Sequence, residues 1–355
     1  MKIGIITFHF VNNYGGALQA YALHEFIKKS FAVECKIVDY RHWFIRLTDG
    51  IRMFPVAEPK KNFVPWTRTI RARKERVRKF RRFMKKYGDL TETHCTYRQL
   101  KSERDSFDLL ICGSDQIWNP LLTFGPAKAY FLEFAGIKTR KISYAASVGN
   151  PPCFKNRISK YIRELDAVSI RERQEWLEKC INLIPAQHID PTFLLNSEDW
   201  SKICAEPVSY EPYILVYFMQ SNNAAYSAVE TIKKRLGYSV IDISRYGYAP
   251  DFIDKTLVNV GPEDFLGLFR NAAYVCTNSF HGLAFSIIFN KAFSFIPLKR
   301  FGYRIDALCD MFHIKRIARD GGAYYDIEYD SDFIEKVIQE ERSKALNYIG
   351  NNINI

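Results

Sequence analysis

The chain has 355 residues, 47% of them hydrophobic and 25% charged, and carries a net charge of +12. That length exceeds a single hydrophobic core and predicts two domains of a globular, soluble protein. No window reaches the roughly 18 uninterrupted apolar residues of a membrane span. The eight cysteines show neither a CxxC pair nor metal-ligand spacing, so reduced thiols in a cytosolic protein are expected.

Residues 1–8 read as a first strand, with an apolar run too short for a signal peptide and no small-residue cleavage site. After a loop over 9–16, Leu18, Tyr21, Ala22 and Phe26 recur at helical spacing. Strands follow at 35–40 and 108–112, the latter running into Gly113-Ser114-Asp115, and the pattern continues at 141–148 and 167–170. A second series begins after Pro191: a strand at 213–219, a helix at 224–236, a strand at 238–243, a helix at 263–272, then strands at 273–276 and 291–297. Residues 196–212, with Pro207 and Pro212, read as a linker, and 333–349 as a terminal helix. Strands interleaved with helices predict mostly parallel sheets covered on both faces. The expected architecture is α/β, with two Rossmann-like domains over 1–195 and 196–330 facing a ligand cleft, and a C-terminal helix and tail over 331–355.

The alternation breaks between 41 and 87. Trp43, Phe44, Ile45, Met53, Phe54, Phe63, Val64, Pro65 and Trp66 make an aromatic, apolar loop. From Arg68 to Lys86 eleven cations meet one acid, Glu75, so most of the net charge sits here. Ile70, Val77, Phe80, Met84 and Tyr87 trace one helical face through the basic segment. Two readings stand side by side: a membrane-surface element with cations for anionic headgroups and apolar bulk for the interface, or a solvated helix packing its stripe on the protein. Nucleic-acid binding ranks below both, because a nucleic-acid binder spreads its charge over the folded surface as well.

Chemistry concentrates where strands end, the ligand-bearing edge of open α/β sheets. The segment Cys276-Thr277-Asn278-Ser279-Phe280-His281-Gly282 places a histidine where a strand gives way to an apolar helix at 283–289. Ser279 or Asn278 would cap that helix, leaving its first N–H groups facing an anion, and His281 can act as acid or base. The plain alternative for His281 is a capping role in a satisfied core. Ser169-Ile170-Arg171-Glu172-Arg173 puts arginine at another strand end, suited to two parallel hydrogen bonds to phosphate or carboxylate, or to a surface ion-pair cluster. In Gly113-Ser114-Asp115-Gln116-Ile117-Trp118-Asn119-Pro120, Asp115 is either a base or a turn cap. Asn12-Asn13-Tyr14-Gly15-Gly16 is glycine-rich without being GxGxxG, so a nicotinamide cofactor is unsupported.

Together, Asn13-Tyr14-Gly15-Gly16-Ala17-Leu18-Gln19-Ala20, Gly113 to Asn119, Ser169-Ile170-Arg171-Glu172, Asp190-Pro191-Thr192 and Thr277 to Gly282 resemble, in order, the signature set of the polysaccharide pyruvyl transferase family. The resemblance runs from residue 1 to about Phe295. It implies a GT-B-like fold of two Rossmann-like domains. It also implies transfer of pyruvate from phosphoenolpyruvate to a saccharide as a cyclic ketal, with release of phosphate; no cluster in the sequence demands a metal, so neither metal nor cofactor is expected.

By the same resemblance, His281 is the general acid, Arg171 grips the anion and Asp115 is the candidate base for the sugar hydroxyl. Glu172 orients Arg171, and Arg304 supplies a second anion contact. Substrate contacts are expected from Asn13, Tyr14, Gly15, Gln19, Ser114, Gln116, Trp118, Asn278, Ser279, Phe280 and Gly282, with His281 facing Arg171 across the cleft. The acceptor implied is a polyprenyl-diphosphate-linked saccharide, which favours the membrane-surface reading of 68–86, a peripheral location at the inner face of the cytoplasmic membrane, and no specific nucleic acid. Two alternatives remain: a GT-B nucleotide-sugar glycosyltransferase, and a non-enzymatic module whose basic helix binds nucleic acid or a partner.

Overall fold

The computed structural model describes residues 1–51, 66–125, 127–149, 154–244, 249–297 and 302–353. The chain divides into two compact units, one of Met1–Arg52, Phe80–Leu195 and Gln339–Ile355, the other of Met53–Lys79 and Asn196–Ile338.

The first unit runs β1 (Lys2–Ile6), α1 (Tyr14–Ser30), β2 (Glu34–Ile37), α2 (Trp43–Ile51), α3 (Trp66–Tyr87, shared with the second unit), α4 (Tyr97–Leu100), β3 (Leu109–Cys112), α5 (Pro120–Thr123), β4 (Arg140–Ser143), α6 (Lys155–Ile162), β5 (Ser169–Ile170), α7 (Glu175–Ile181) and β6 (Ala186–Gln187). Its sheet has the order β2-β1-β3-β4, every pair parallel. Single parallel bridges, Ile142 to Ala167 and Ala146 to Ile170, lead on to the β5-β6 pair. The central strand β3, Leu-Leu-Ile-Cys, is apolar and buried at all four positions, as a strand covered on both faces requires, whereas β2 and β4 carry Glu34, Lys36, Arg140 and Lys141. Asn13 caps α1 by accepting the Gly15 N–H at 3.0 Å, and Lys28 and Lys29 in the last turn complement the helix dipole. Strand order reverses at β1, which has β2 on one side and β3 on the other, so the crevice at their carboxyl ends is a topological switch point.

The second unit runs α8 (Ser197–Ser201), β7 (Tyr213–Tyr217), α9 (Asn223–Leu236), β8 (Ser239–Ile243), β9 (Lys255–Leu257), α10 (Pro262–Asn271), β10 (Tyr274–Thr277), α11 (Phe280–Ile288), β11 (Ala292–Phe295), α12 (Gly302–Met311), β12 (Lys315–Arg319), β13 (Tyr324–Glu328) and α13 (Ser331–Ile353), whose last turns, from Gln339, group with the first unit. The sheet order is β12-β13-β11-β10-β7-β8-β9, with β13 antiparallel to both β11 and β12 and the other pairs parallel. Here the switch point lies between β7 and β10. An aromatic cluster fills one side: Phe265 lies 5.0 Å from Tyr217, 4.6 Å from Phe269 and 5.7 Å from Phe285, centroid to centroid, while Trp200 meets Phe285 at 5.1 Å.

The alternating elements expected from the sequence are present. Short or edge strands went unread: β6 and β9 span two and three residues, and the exposed pattern of β12 hides its antiparallel pairing. The stretch read as a linker contains α8, whose fully buried Trp200 belongs to the second unit's core. The 41–87 insertion is divided, with 66–79 grouping with the second unit and 80–87 with the first. Met53, Phe54, Phe63, Val64 and Pro65 lie outside the described residues, as does the side chain of Trp66.

Helix α3 separates the two properties that the sequence combined. Phe80 sits against Tyr14 at 5.2 Å, and Phe83 and Tyr87 pack on Tyr21 at 5.7 Å each, so the apolar stripe of its C-terminal half packs on α1. Arg71, Lys74, Arg78, Arg81, Arg82, Lys85 and Lys86 are all exposed and follow the three-and-four spacing of one helical face.

Candidate active site

At the first unit's switch point, polar side chains lock the strand ends together. Thr7, one residue beyond β1, donates its hydroxyl to the Ser114 carbonyl at 2.9 Å. Gln19 on α1 donates from Nε2 to Thr7 Oγ1 and to the Gly16 carbonyl, both at 2.9 Å, and accepts the Ser114 N–H on Oε1 at 3.2 Å. The Ser114 hydroxyl donates to the Ala145 carbonyl at 3.0 Å and accepts from Arg171 Nη2. Arg171 Nη2 also meets Asp190 Oδ2 at 2.6 Å, with both side chains buried. Gly113 makes this turn possible, because its φ is +125° and a β-carbon would lie 2.2 Å from the Tyr144 carbonyl oxygen.

The other expected residues of this unit lie around that lock. Asp115, half-buried with φ +67°, accepts the Gln116 N–H on its own carboxylate at 2.8 Å, while the Gln116 carbonyl-oxygen side accepts from Asn119 Nδ2 at 2.7 Å. Trp118 is a core residue: its indole N–H donates to the Tyr130 carbonyl at 2.9 Å and its ring stacks on Phe131 at 5.6 Å. Tyr14 is buried against Phe80, and Gly15 and Asn13 form the α1 cap. The carboxylate gripping Arg171 is Asp190, whereas Glu172 accepts from the Ser147 hydroxyl.

The second unit builds its edge differently. Thr277 ends β10 and donates its hydroxyl to the Tyr217 carbonyl at 2.7 Å, stitching β10 to β7. Asn278 accepts the Met219 N–H at 2.8 Å and donates to the Gln220 carbonyl at 2.7 Å, pinning the loop after β7. Neither Asn278 nor Ser279 caps α11 through its side chain; Ser279 holds the cap position by backbone alone, its N–H donating to Thr277 Oγ1 at 3.1 Å. His281 is buried in the first turn of α11, edge-on to Phe280 at 5.1 Å. Arg304 on α12 sets its guanidinium 5.7 Å from the Phe280 ring centre. Gly282 is required by packing, since a β-carbon there would fall 2.0 Å from Thr277 Oγ1. A histidine, a guanidinium and a helix N-terminus therefore share one end of this unit, a combination that can hold an anion and move a proton. Arg171 and His281 belong to different units, and each is placed within its own.

Sequence reasoning missed two features. Asp190 stood in a quoted block, yet its role needed the fold, because it also accepts from the Thr192 N–H and hydroxyl at 2.9 and 2.8 Å. His9 Nε2 lies 2.8 Å from Asp39 Oδ1, and Asp39 also takes Arg41 at 2.8 and 2.7 Å and Thr93 at 2.6 Å. Burial pushes the Asp39 carboxyl up, but the hydrogen bonds from His9 and Arg41 outweigh it and hold the group well below the usual carboxylate range. In the second unit the reverse holds for Asp242 on β8: burial raises its carboxyl to about 7, only partly offset by the Tyr226 hydroxyl at 3.0 Å. Among the described residues no group of three His, Cys, Asp or Glu converges as a metal-binding set.

The family model for polysaccharide pyruvyl transferases matches residues 13–299, a span containing every block from Asn13 to Gly282. No curated protein matches the chain. Among solved structures, it is similar to a glycosyltransferase from Streptomyces sp. SF2575 complexed with thymidine diphosphate (9% identity, 99% of each chain covered, TM-score 0.44). It is also similar to the ADP-heptose heptosyltransferase II of E. coli (11% identity, 82% of this chain and 83% of that one, TM-score 0.40). A third is the UDP-GlcNAc 2-epimerase of Methanocaldococcus jannaschii (12% identity, 82% and 83%, TM-score 0.39).

Proposed function

The chain belongs to the polysaccharide pyruvyl transferase family, and from that premise we propose that it moves pyruvate from phosphoenolpyruvate onto a sugar of a lipid-linked, cell-surface saccharide. The donor carries both phosphate and carboxylate, so the enzyme needs cations and a proton source. Protonation of the methylene carbon leaves positive charge at C2; one sugar hydroxyl adds there, and a second displaces phosphate to close the ketal. One hydroxyl proton is recovered by the methyl group and the other leaves with phosphate. His281 is assigned the proton donation, Arg171 and Arg304 the anion contacts, and Asp115 the base for the attacking hydroxyl.

The observation that carries this reading is His281 on the first turn of α11, edge-on to Phe280, whose ring also faces the guanidinium of Arg304, in a chain matching the family from 13 to 299. The test is mass spectrometry of a polyprenyl-diphosphate-linked saccharide incubated with phosphoenolpyruvate. Addition of one pyruvate per phosphate released supports the reading. Protection from unfolding by nucleotide sugars, with none from phosphoenolpyruvate, replaces it with a nucleotide-sugar transferase.

A lipid-linked acceptor requires the enzyme to visit a bilayer. No helix among the described residues is long and apolar enough to cross one, so the contact proposed is peripheral. Its support is the exposed row of seven cations on α3 and, on the first unit, the exposed side chains of Trp43, Leu47, Leu121 and Phe124, where Phe124 is 74% exposed and lies 6.2 Å from Trp43. Such cations attract anionic headgroups by about 1 kcal/mol each near the surface. Co-sedimentation with vesicles should rise with anionic lipid content and fall on charge reversal of Arg78, Arg81 and Arg82; binding indifferent to both removes the membrane surface from the proposal.

A further inference from the structure

Gln19 and Ser114 were expected to touch substrate, but their geometry assigns them another task. Both are fully buried, and each polar atom of the Gln19 amide faces a partner that fixes which end is which. Its Nε2 carries two hydrogens and faces two acceptors, Thr7 Oγ1 and the Gly16 carbonyl; its Oε1 faces the Ser114 N–H. The Thr7 hydroxyl accepts from Gln19, so its own hydrogen is free to donate to the Ser114 carbonyl, as observed at 2.9 Å. Ser114 is thus held at both its N–H and its C=O. Its hydroxyl hydrogen goes to the Ala145 carbonyl, which turns the oxygen lone pairs toward Arg171 Nη2. The same nitrogen forms an ion pair with Asp190 Oδ2 at 2.6 Å.

The donor-to-acceptor sense is therefore consistent from α1 through the ends of β1, β3 and β4 to Arg171, the residue that follows β5, and the ion pair with Asp190 closes the set. We propose that Gln19 and Ser114 form a positioning relay that sets the Arg171 guanidinium for its anion, with Asp190 as the opposing anchor. A guanidinium held in one rotamer loses less entropy when it grips a carboxylate or phosphate. The inference rests on Arg171 being the anion contact of the proposed reaction, and it makes both Gln19 and Ser114 act through Arg171 instead of on the substrate.

Calorimetric titration of the full chain with phosphoenolpyruvate tests it. Ser114→Ala and Gln19→Leu should each weaken binding roughly 10- to 100-fold, and Ser114→Ala should cause no further loss when combined with Arg171→Lys. Ser114→Cys, nearly isosteric and still bearing an acceptor, should recover part of the affinity. Thermal unfolding of each variant reports folding separately, because a merely structural defect raises the apparent dissociation constant only by the inverse of the folded fraction, a factor near one while the melting temperature stays well above that of the titration. Wild-type affinity in both Ser114→Ala and Gln19→Leu, alongside weakened Arg171→Lys, overturns the relay and leaves the proposed function standing. Additive losses in the double variant overturn it too, since they place Ser114 on the ligand independently of Arg171. A wild-type protein that does not bind phosphoenolpyruvate removes the functional reading and the relay with it.

Discussion

The two switch points solve one mechanical problem with similar parts and then diverge. In each, a threonine just at or beyond a strand end donates to the backbone of the neighbouring strand end, Thr7 to Ser114 and Thr277 to Tyr217. In each, a side-chain amide then ties a loop, Gln19 in the first unit and Asn278 in the second. Beyond that, the first unit continues through hydrogen bonds to a buried ion pair, Arg171 with Asp190. The second continues through close packing, with Gly282 against Thr277 bringing a histidine-bearing helix start to the strand end. The difference teaches that signature polar residues can be scaffolding in both places, by hydrogen bonds to an ion pair in one and by close packing in the other.

The largest effect expected concerns the chemistry itself. His281→Ala should reduce phosphate release from phosphoenolpyruvate about 1,000-fold, some 4 kcal/mol of transition-state stabilisation, with little change in melting temperature; near-normal turnover would reduce α11 to scaffolding like the rest. Next comes the ion pair. Arg171→Ala strands the Asp190 carboxylate in a buried position and should cost about 3–5 kcal/mol in chemical denaturation, so loss of activity in that variant must be read against its folded fraction. Unchanged stability would mean that the first unit's edge does not depend on the pair. Gly282→Ala, which drives a β-carbon onto Thr277 Oγ1, should cost about 2–3 kcal/mol; a neutral result would erase the contrast between packing and hydrogen bonding.

The smallest effect is a difference in pH response. Asp39 is held low, so its contribution is present above the ordinary carboxylate pKa and is lost as pH falls. Asp242 is raised to about 7, so its contribution is full below the ordinary value of 3.8 and is lost as pH rises through 7. Asp242→Asn should therefore stabilise the protein by about 2 kcal/mol at pH 8 and hardly at all at pH 3.5. Equal melting shifts at both pH values would show that Asp242 titrates normally.

Much of the fold was legible. Apolar runs such as Leu109–Cys112 and Tyr213–Tyr217 announce strands covered on both faces, and helical spacing announced α1, α9 and α10. The turn at 113–115 and the histidine at a helix start were equally visible, because glycine and a strand-to-helix change mark them locally. What stayed hidden is the partner of each polar group. The resemblance made Glu172 the orienting carboxylate of Arg171, and the fold adds Asp190, from beyond the next strand, at 2.6 Å from the same guanidinium. Trp118, counted among the substrate contacts by resemblance, is folded onto Phe131. The basic helix showed both cations and an apolar stripe, and only its packing on α1 revealed that the stripe of its C-terminal half turns inward.

The sequence by itself determined the α/β alternation, the placement of signature residues at strand ends, the concentration of charge between 68 and 86, and the family. Those properties are local: periodicity, composition and short motifs within a few residues of each other. The tertiary structure decided which signature residues are tied into the scaffold. The bonds that decide it join Thr7 and Gln19 to Ser114 over 107 and 95 residues of chain. Those partners become neighbours only once parallel strand order sets β1 beside β3, and no local pattern contains that order.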